Sequence, residues 1–66
     1  MLPSKYRLEI IHERCYQLSA ADGLWSEYFS SVHAAVHHLH QLREARGARV
    51  DVVTEEGRVY LVIFPP

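Results

Sequence analysis

The apolar residues of this chain change their period twice. From Tyr6 to Phe29 they largely alternate with polar ones, between Val32 and Leu42 they fall three and four apart, and from Val50 onward they alternate again. A period of two places successive side chains on opposite faces of a strand, whereas spacings of three and four gather side chains on one stripe of a helix. Such a chain is built for a sheet with one helix. The order of elements is strand, strand, strand, helix, strand, strand. That grouping predicts an α+β fold, an antiparallel sheet with one amphipathic helix on one face, spanning residues 1–66 as a single domain.

In the first strand, Tyr6, Leu8 and Ile10 alternate with Arg7 and Glu9. Glu13-Arg14 forms a turn, and a second strand runs from Cys15 to Ala20 with Tyr16, Leu18 and Ala20 on one side. Asp22-Gly23 predicts a type I′ hairpin turn, which requires positive φ at both central residues. Leu24 to Phe29 is the third strand. The helix starts at Ser30-Ser31, with Ser30 as the capping residue and Phe29 placed to touch Ala34. Its apolar stripe is Val32, Ala35, Val36, Leu39 and Leu42. Gly47 ends it, with Arg43 and Arg46 in the last turns facing the negative end of the helix dipole. Val50 and Val52 mark the fourth strand, Glu55-Glu56-Gly57 a loop, and Val59 to Phe64 the fifth strand. Pro65-Pro66 ends that strand, because proline cannot donate to a ladder.

The last strand is apolar at every position. Tyr60, Val62 and Phe64 alternate with Val59, Leu61 and Ile63, so both of its faces are apolar. One helix covers only one face of a sheet. The uncovered side is therefore expected to carry an interface formed by Tyr60, Val62 and Phe64, with Tyr6, Ile11 and Tyr28 adding to it. Size points the same way. The chain has 66 residues, and a domain this small buries only about 60% of its unfolded surface. Domains of that kind usually carry a staple. Cys15 is the only cysteine, so an intramolecular disulfide is excluded and a reducing compartment fits better than secretion. A homodimer through the apolar sheet face or edge is the expected support, with room for a second protein partner.

Four of the five histidines lie on the helix. At about 100° per residue, His33, His37 and His40 share one sector with Glu44, opposite the apolar stripe. Neutral imidazoles one turn apart can share Zn²⁺ or Ni²⁺, with Glu44 completing the shell. Ala34 follows His33 where the zinc-protease motif has glutamate. The same four residues also suit a solvated helix face, or a cluster that repels itself when protonated.

Other chemistry is sparse. His12 and Cys15 are near enough in sequence for a base and a nucleophile, but no triad or oxyanion loop accompanies them. The three glycines are isolated, so no phosphate-binding loop is formed. Enzyme activity is not expected. The formal charge is −1 with scattered basic residues, which argues against nucleic acid as the partner, since phosphate contacts call for a basic face. Trp25 is assigned to the core in preference to base stacking. No run reaches the about 20 apolar residues that span a bilayer, and Met1 to Lys5 leads into no signal-peptide core. The expected location is the cytoplasm.

The segments Phe29-Ser30-Ser31 through Ala35, Arg46-Gly47-Ala48-Arg49-Val50 and Glu56-Gly57-Arg58-Val59 together resemble small uncharacterised bacterial proteins built as a β-meander, a helix and a closing hairpin. Antitoxin-like sheet-and-helix domains share a similar order of elements, but this chain lacks their strand-one and loop residues. The resemblance implies a fold and no activity. A metal- or small-ligand-binding protein and an antitoxin-like or nucleic-acid-associated regulator are the alternatives to the interaction module.

Overall fold

Leu8 and Leu18 face each other across the first two strands and form the centre of the core. A computed structural model describes residues 3–65. Strand β1 (Tyr6–His12) pairs antiparallel with β2 (Cys15–Ala20), and β2 pairs antiparallel with β3 (Ser26–Phe29). Helix α1 (Val32–His40) and a short 3₁₀ turn (Arg43–Ala45) follow. Strand β4 (Arg49–Val53) then lies against β1, and β5 (Val59–Ile63) closes the sheet as its outer strand. The sheet order is β3-β2-β1-β4-β5.

The fold is α+β as the pattern predicts, with one refinement: β1 and β4 run parallel, so the mostly antiparallel sheet is mixed. A parallel return needs a crossover long enough to pass over the sheet. Residues 30–48 supply it, and they carry α1 across the face of β2 and β3.

Directly paired residues share a face, so the registers assign every strand side chain. On the helix side, Trp25, Ala20, Tyr6, Val50 and Val62 make one row, and Glu27, Leu18, Leu8, Val52 and Tyr60 the next. Ala20 is small enough for Trp25 to reach over it to Tyr6, their ring centres 6.0 Å apart. Ala35 and Leu39 of α1, Ala45 of the 3₁₀ turn and Phe64 complete the buried cluster. Burial, and then the carboxylates of Glu44 and Asp22, push the Tyr6 phenol above its ordinary pKa. Over β1 and β2 the opposite face carries Arg7, Glu9, Gln17 and Ser19, as a solvated face should. Arg7 and Glu9 form an exposed ion pair there at 3.4 Å.

Local chemistry corrects several boundaries. Ser31, not Ser30, caps the helix: its Oγ accepts the Ala34 N–H at 3.1 Å. Phe29 packs on His38, ring centres 5.4 Å apart. The helix stops at His40, six residues before the sequence pattern does. Leu42 turns extended, which brings Ala45 into full burial and lets the Gly47 N–H donate to the Phe64 carbonyl at 3.0 Å. The last helical turn therefore holds His37, His38 and His40 where Arg43 and Arg46 were expected. Asp22 keeps a negative φ, so the β2–β3 connection is no type I′ turn. It is a longer loop with only Gly23 in the left-handed region, and the Leu24 N–H donates to Asp22 Oδ1 at 2.9 Å.

The cap is a direct test of this boundary. Ser31→Ala is expected to cost about 1 kcal/mol, which for a domain of this size lowers the thermal midpoint by roughly 4–8 °C. An unmoved midpoint in a thermal melt, with Ser30→Ala lowering it instead, would restore the earlier boundary.

Candidate interaction surface

The last strand behaves as its sequence demands at the edge of the sheet. All five residues of β5 are exposed, whereas nearly every residue of β4 beside it is at least half-buried. The helix packs mainly on β2 and β3, and the apolar side chains of β5 are left exposed on both faces. On the helix side these are Tyr60 and Val62. On the far side they are Val59, Leu61 and Ile63, which are 61%, 50% and 61% exposed.

The third open side of β5 is its backbone. The Phe64 N–H donates to the Ala48 carbonyl at 2.9 Å, and the Thr54 N–H donates to the Arg58 carbonyl at 2.8 Å. Arg58 and Phe64 thus point their backbone groups at β4. Hydrogen-bonded and non-hydrogen-bonded positions alternate in an antiparallel ladder, so Tyr60 and Val62 point the same way. Val59, Leu61 and Ile63 direct their N–H and C=O groups outward. The three residues that expose the far-face side chains also hold the open edge.

Natural sheets protect such edges with charges, prolines, bulges or short strands. The opposite edge, β3, is protected: it is four residues long and begins Ser-Glu. Within β5 there is no charge, glycine or proline. Arg58 precedes it, and Phe64 and Pro65 follow it. Five exposed apolar residues of high β-propensity in a row are the composition that pairs with another strand.

The structure corrects the expected interface in part. Tyr60, Val62, Ile11 and Tyr28 are exposed, but Tyr60 and Val62 lie on the helix side of the sheet. Tyr6 and Phe64 are buried in the core and belong to no free surface. The sequence reading missed that Val59, Leu61 and Ile63 form the far-face row. The parity of Tyr6 with Leu8 ties Tyr6 to the core side, but which residues of β5 share that face follows only from the register.

The histidine face is divided. Glu44 sits in the 3₁₀ turn, off the helix that carries His33, His37 and His40. The His40 ring packs on Phe64, centres 4.7 Å apart. His37 Nε2 lies 3.1 Å from Gln41 Nε2. Among the described residues no three His, Cys, Asp or Glu side chains come together as a metal-ligand set. His38, which the sequence pattern did not single out, is the histidine most engaged with the core. It meets Trp25 edge-on at 5.9 Å and Phe29 at 5.4 Å, with Glu27 3.8 Å away. One equivalent of zinc is expected to leave the thermal midpoint unchanged. A rise at stoichiometric zinc, lost in His37→Ala, would show that the helix histidines converge on the metal.

His12 and Cys15 are cross-strand neighbours at the β1–β2 turn. His12 Nδ1 faces the Arg14 N–H at 3.4 Å, so the ring is engaged with the turn backbone. Among the described residues, no helix is long and apolar enough to cross a membrane. The chain matches no family model, no curated protein and no solved structure.

Proposed function

We propose that this protein is a non-enzymatic interaction module of the cytoplasm whose β5 edge pairs with β5 of a second copy. The observation that carries the proposal is the outward-facing ladder of Val59, Leu61 and Ile63 on a strand with no protecting charge.

The strand is close to self-complementary. In an antiparallel pairing centred on Leu61, Leu61 meets its own copy, Val59 meets Ile63 and Tyr60 meets Val62. Each of the outward N–H groups finds an outward carbonyl, and no charge is placed within the junction. A two-fold axis through one residue is the isologous arrangement most homodimers use. The sheet doubles, the helices lie on the same side of it, and the exposed rows of both faces become continuous across the junction. Strand addition of this kind draws affinity from the main-chain ladder and specificity from the alternating side chains. It also supplies the support that a disulfide-free domain of this size needs.

Light scattering behind a sizing column tests the reading. The expected mass is twice 7.6 kDa at micromolar concentration, falling toward the monomer on dilution. A mass of one chain at every concentration would overturn the homodimer.

A further inference from the structure

A groove of about 460 Å³ opens at the end of the sheet where β1 and β4 begin. Its walls come from three separate stretches of chain: Pro3 and Lys5 before β1, Ala21 and Asp22 in the β2–β3 loop, and Ala48 and Arg49 at the start of β4. Sites for small molecules fall in this size range and combine apolar walls with a few polar groups that fix orientation.

The charges are arranged for an anion. Arg49 is half-buried. Among the described residues the ion pairs are Arg7 with Glu9 and His38 with Glu27, and neither involves Arg49 or Lys5. Asp51 and Asp22, close to the groove, have partners of their own. Asp51 accepts the Ser4 hydroxyl at 2.6 Å, and Asp22 accepts the Leu24 N–H at 2.9 Å. The Lys5 ammonium donates to the Glu44 carbonyl at 3.2 Å, which holds its charge close to the groove without neutralising it. Among the described residues that line the groove, two are cations and one is a carboxylate. A guanidinium presents a planar fork of donors that fits a carboxylate two-pronged. Pro3, Ala21 and Ala48 leave the remaining wall apolar and free of large side chains.

We propose that this groove binds a small organic monoanion, a carboxylate with a short apolar body, its charge held by Arg49 with Lys5 beside it and its body lying on Ala21 and Ala48. Asp22 disfavours a second negative charge on the ligand.

The experiment is a titration of the full chain followed by amide ¹H–¹⁵N correlation spectra at neutral pH and constant ionic strength. The probes are sodium pentanoate, 1-pentanol, sodium phosphate and sodium chloride. Pentanoate is expected to shift the amides of Lys5, Ala21, Gly47, Ala48 and Arg49 saturably while those of Val59 to Leu61 stay in place. Arg49→Gln is expected to weaken binding about tenfold or more, as loss of a charged hydrogen bond does. Lys5→Gln should weaken it less, and Asp22→Asn should tighten it. Spectra of the free variants report whether each remains folded, and Lys5→Gln keeps the test available if Arg49→Gln does not. The proposal is overturned if chloride reproduces the shifts, if pentanol binds as well as pentanoate, if phosphate binds more tightly, or if no probe saturates.

Discussion

Leu18→Ala is expected to destabilise the fold by about 2–5 kcal/mol, the cost of deleting buried methyl groups and leaving a cavity. Leu18 is the largest side chain that is completely buried. It lies on the second strand of the sheet, paired with Leu8 on one side and with Glu27 of the edge strand on the other, beneath the helix. No neighbour collapses easily into the space, because Leu8 and Leu18 are fixed by ladders on both flanks. At roughly 0.05–0.15 kcal/mol per residue, a domain of this length has only about 3–10 kcal/mol in all. The loss therefore takes a large share of the total. Urea denaturation is expected to show a lower midpoint with an unchanged slope. Leu18→Met, which keeps the volume, should cost less than about 1.5 kcal/mol. Equal effects of the two substitutions would mean that the site is loosely packed and that Leu18 is not its centre.

The elements were legible because their periods differ. Tyr6, Leu8 and Ile10 against Arg7 and Glu9 define a half-buried strand, and Ala35 and Leu39 define the buried stripe of a helix, with no tertiary information needed. The direction of pairing was not legible. Val50 and Val52 alternate identically whether their strand runs with β1 or against it, so the parallel β1–β4 pair enters only through the crossover. The end of the helix was masked for a different reason. Leu42 to Arg46 are good helix formers, and the break at Leu42 is imposed by the burial of Ala45 and by the return of the chain to β4. The last strand was the most visible candidate surface, since six apolar residues in alternation cannot all be covered by one helix. Which of them share a face with Tyr6 and Phe64 required the register. The Arg49 groove was invisible, because its walls are brought together from three distant segments and no periodicity links them.

The two prolines Leu61→Pro and Val62→Pro should separate pairing at the edge from the stability of the strand itself. Proline removes one backbone donor, and its effect depends on where that donor points. At Leu61 the N–H points away from β4, so the monomer keeps its ladder while the dimer loses the donor nearest its axis, once in each chain. Leu61→Pro is therefore expected to run as a single chain of 7.6 kDa with its circular dichroism spectrum preserved. At Val62 the N–H points at Val50, so proline there breaks the β4–β5 ladder and exposes an unpaired carbonyl, at a cost of about 1–3 kcal/mol. Val62→Pro is expected to melt earlier whether or not it dimerises. Leu61→Lys provides a second line of evidence, because in the Leu61-centred register two like charges would lie directly opposite each other. Its dimer should weaken, and added salt should partly restore it by screening the repulsion. A Leu61→Pro protein that remained dimeric would move the contact off the strand edge and onto the faces, where Val59, Ile63, Tyr60 and Val62 would have to hold it without a shared ladder.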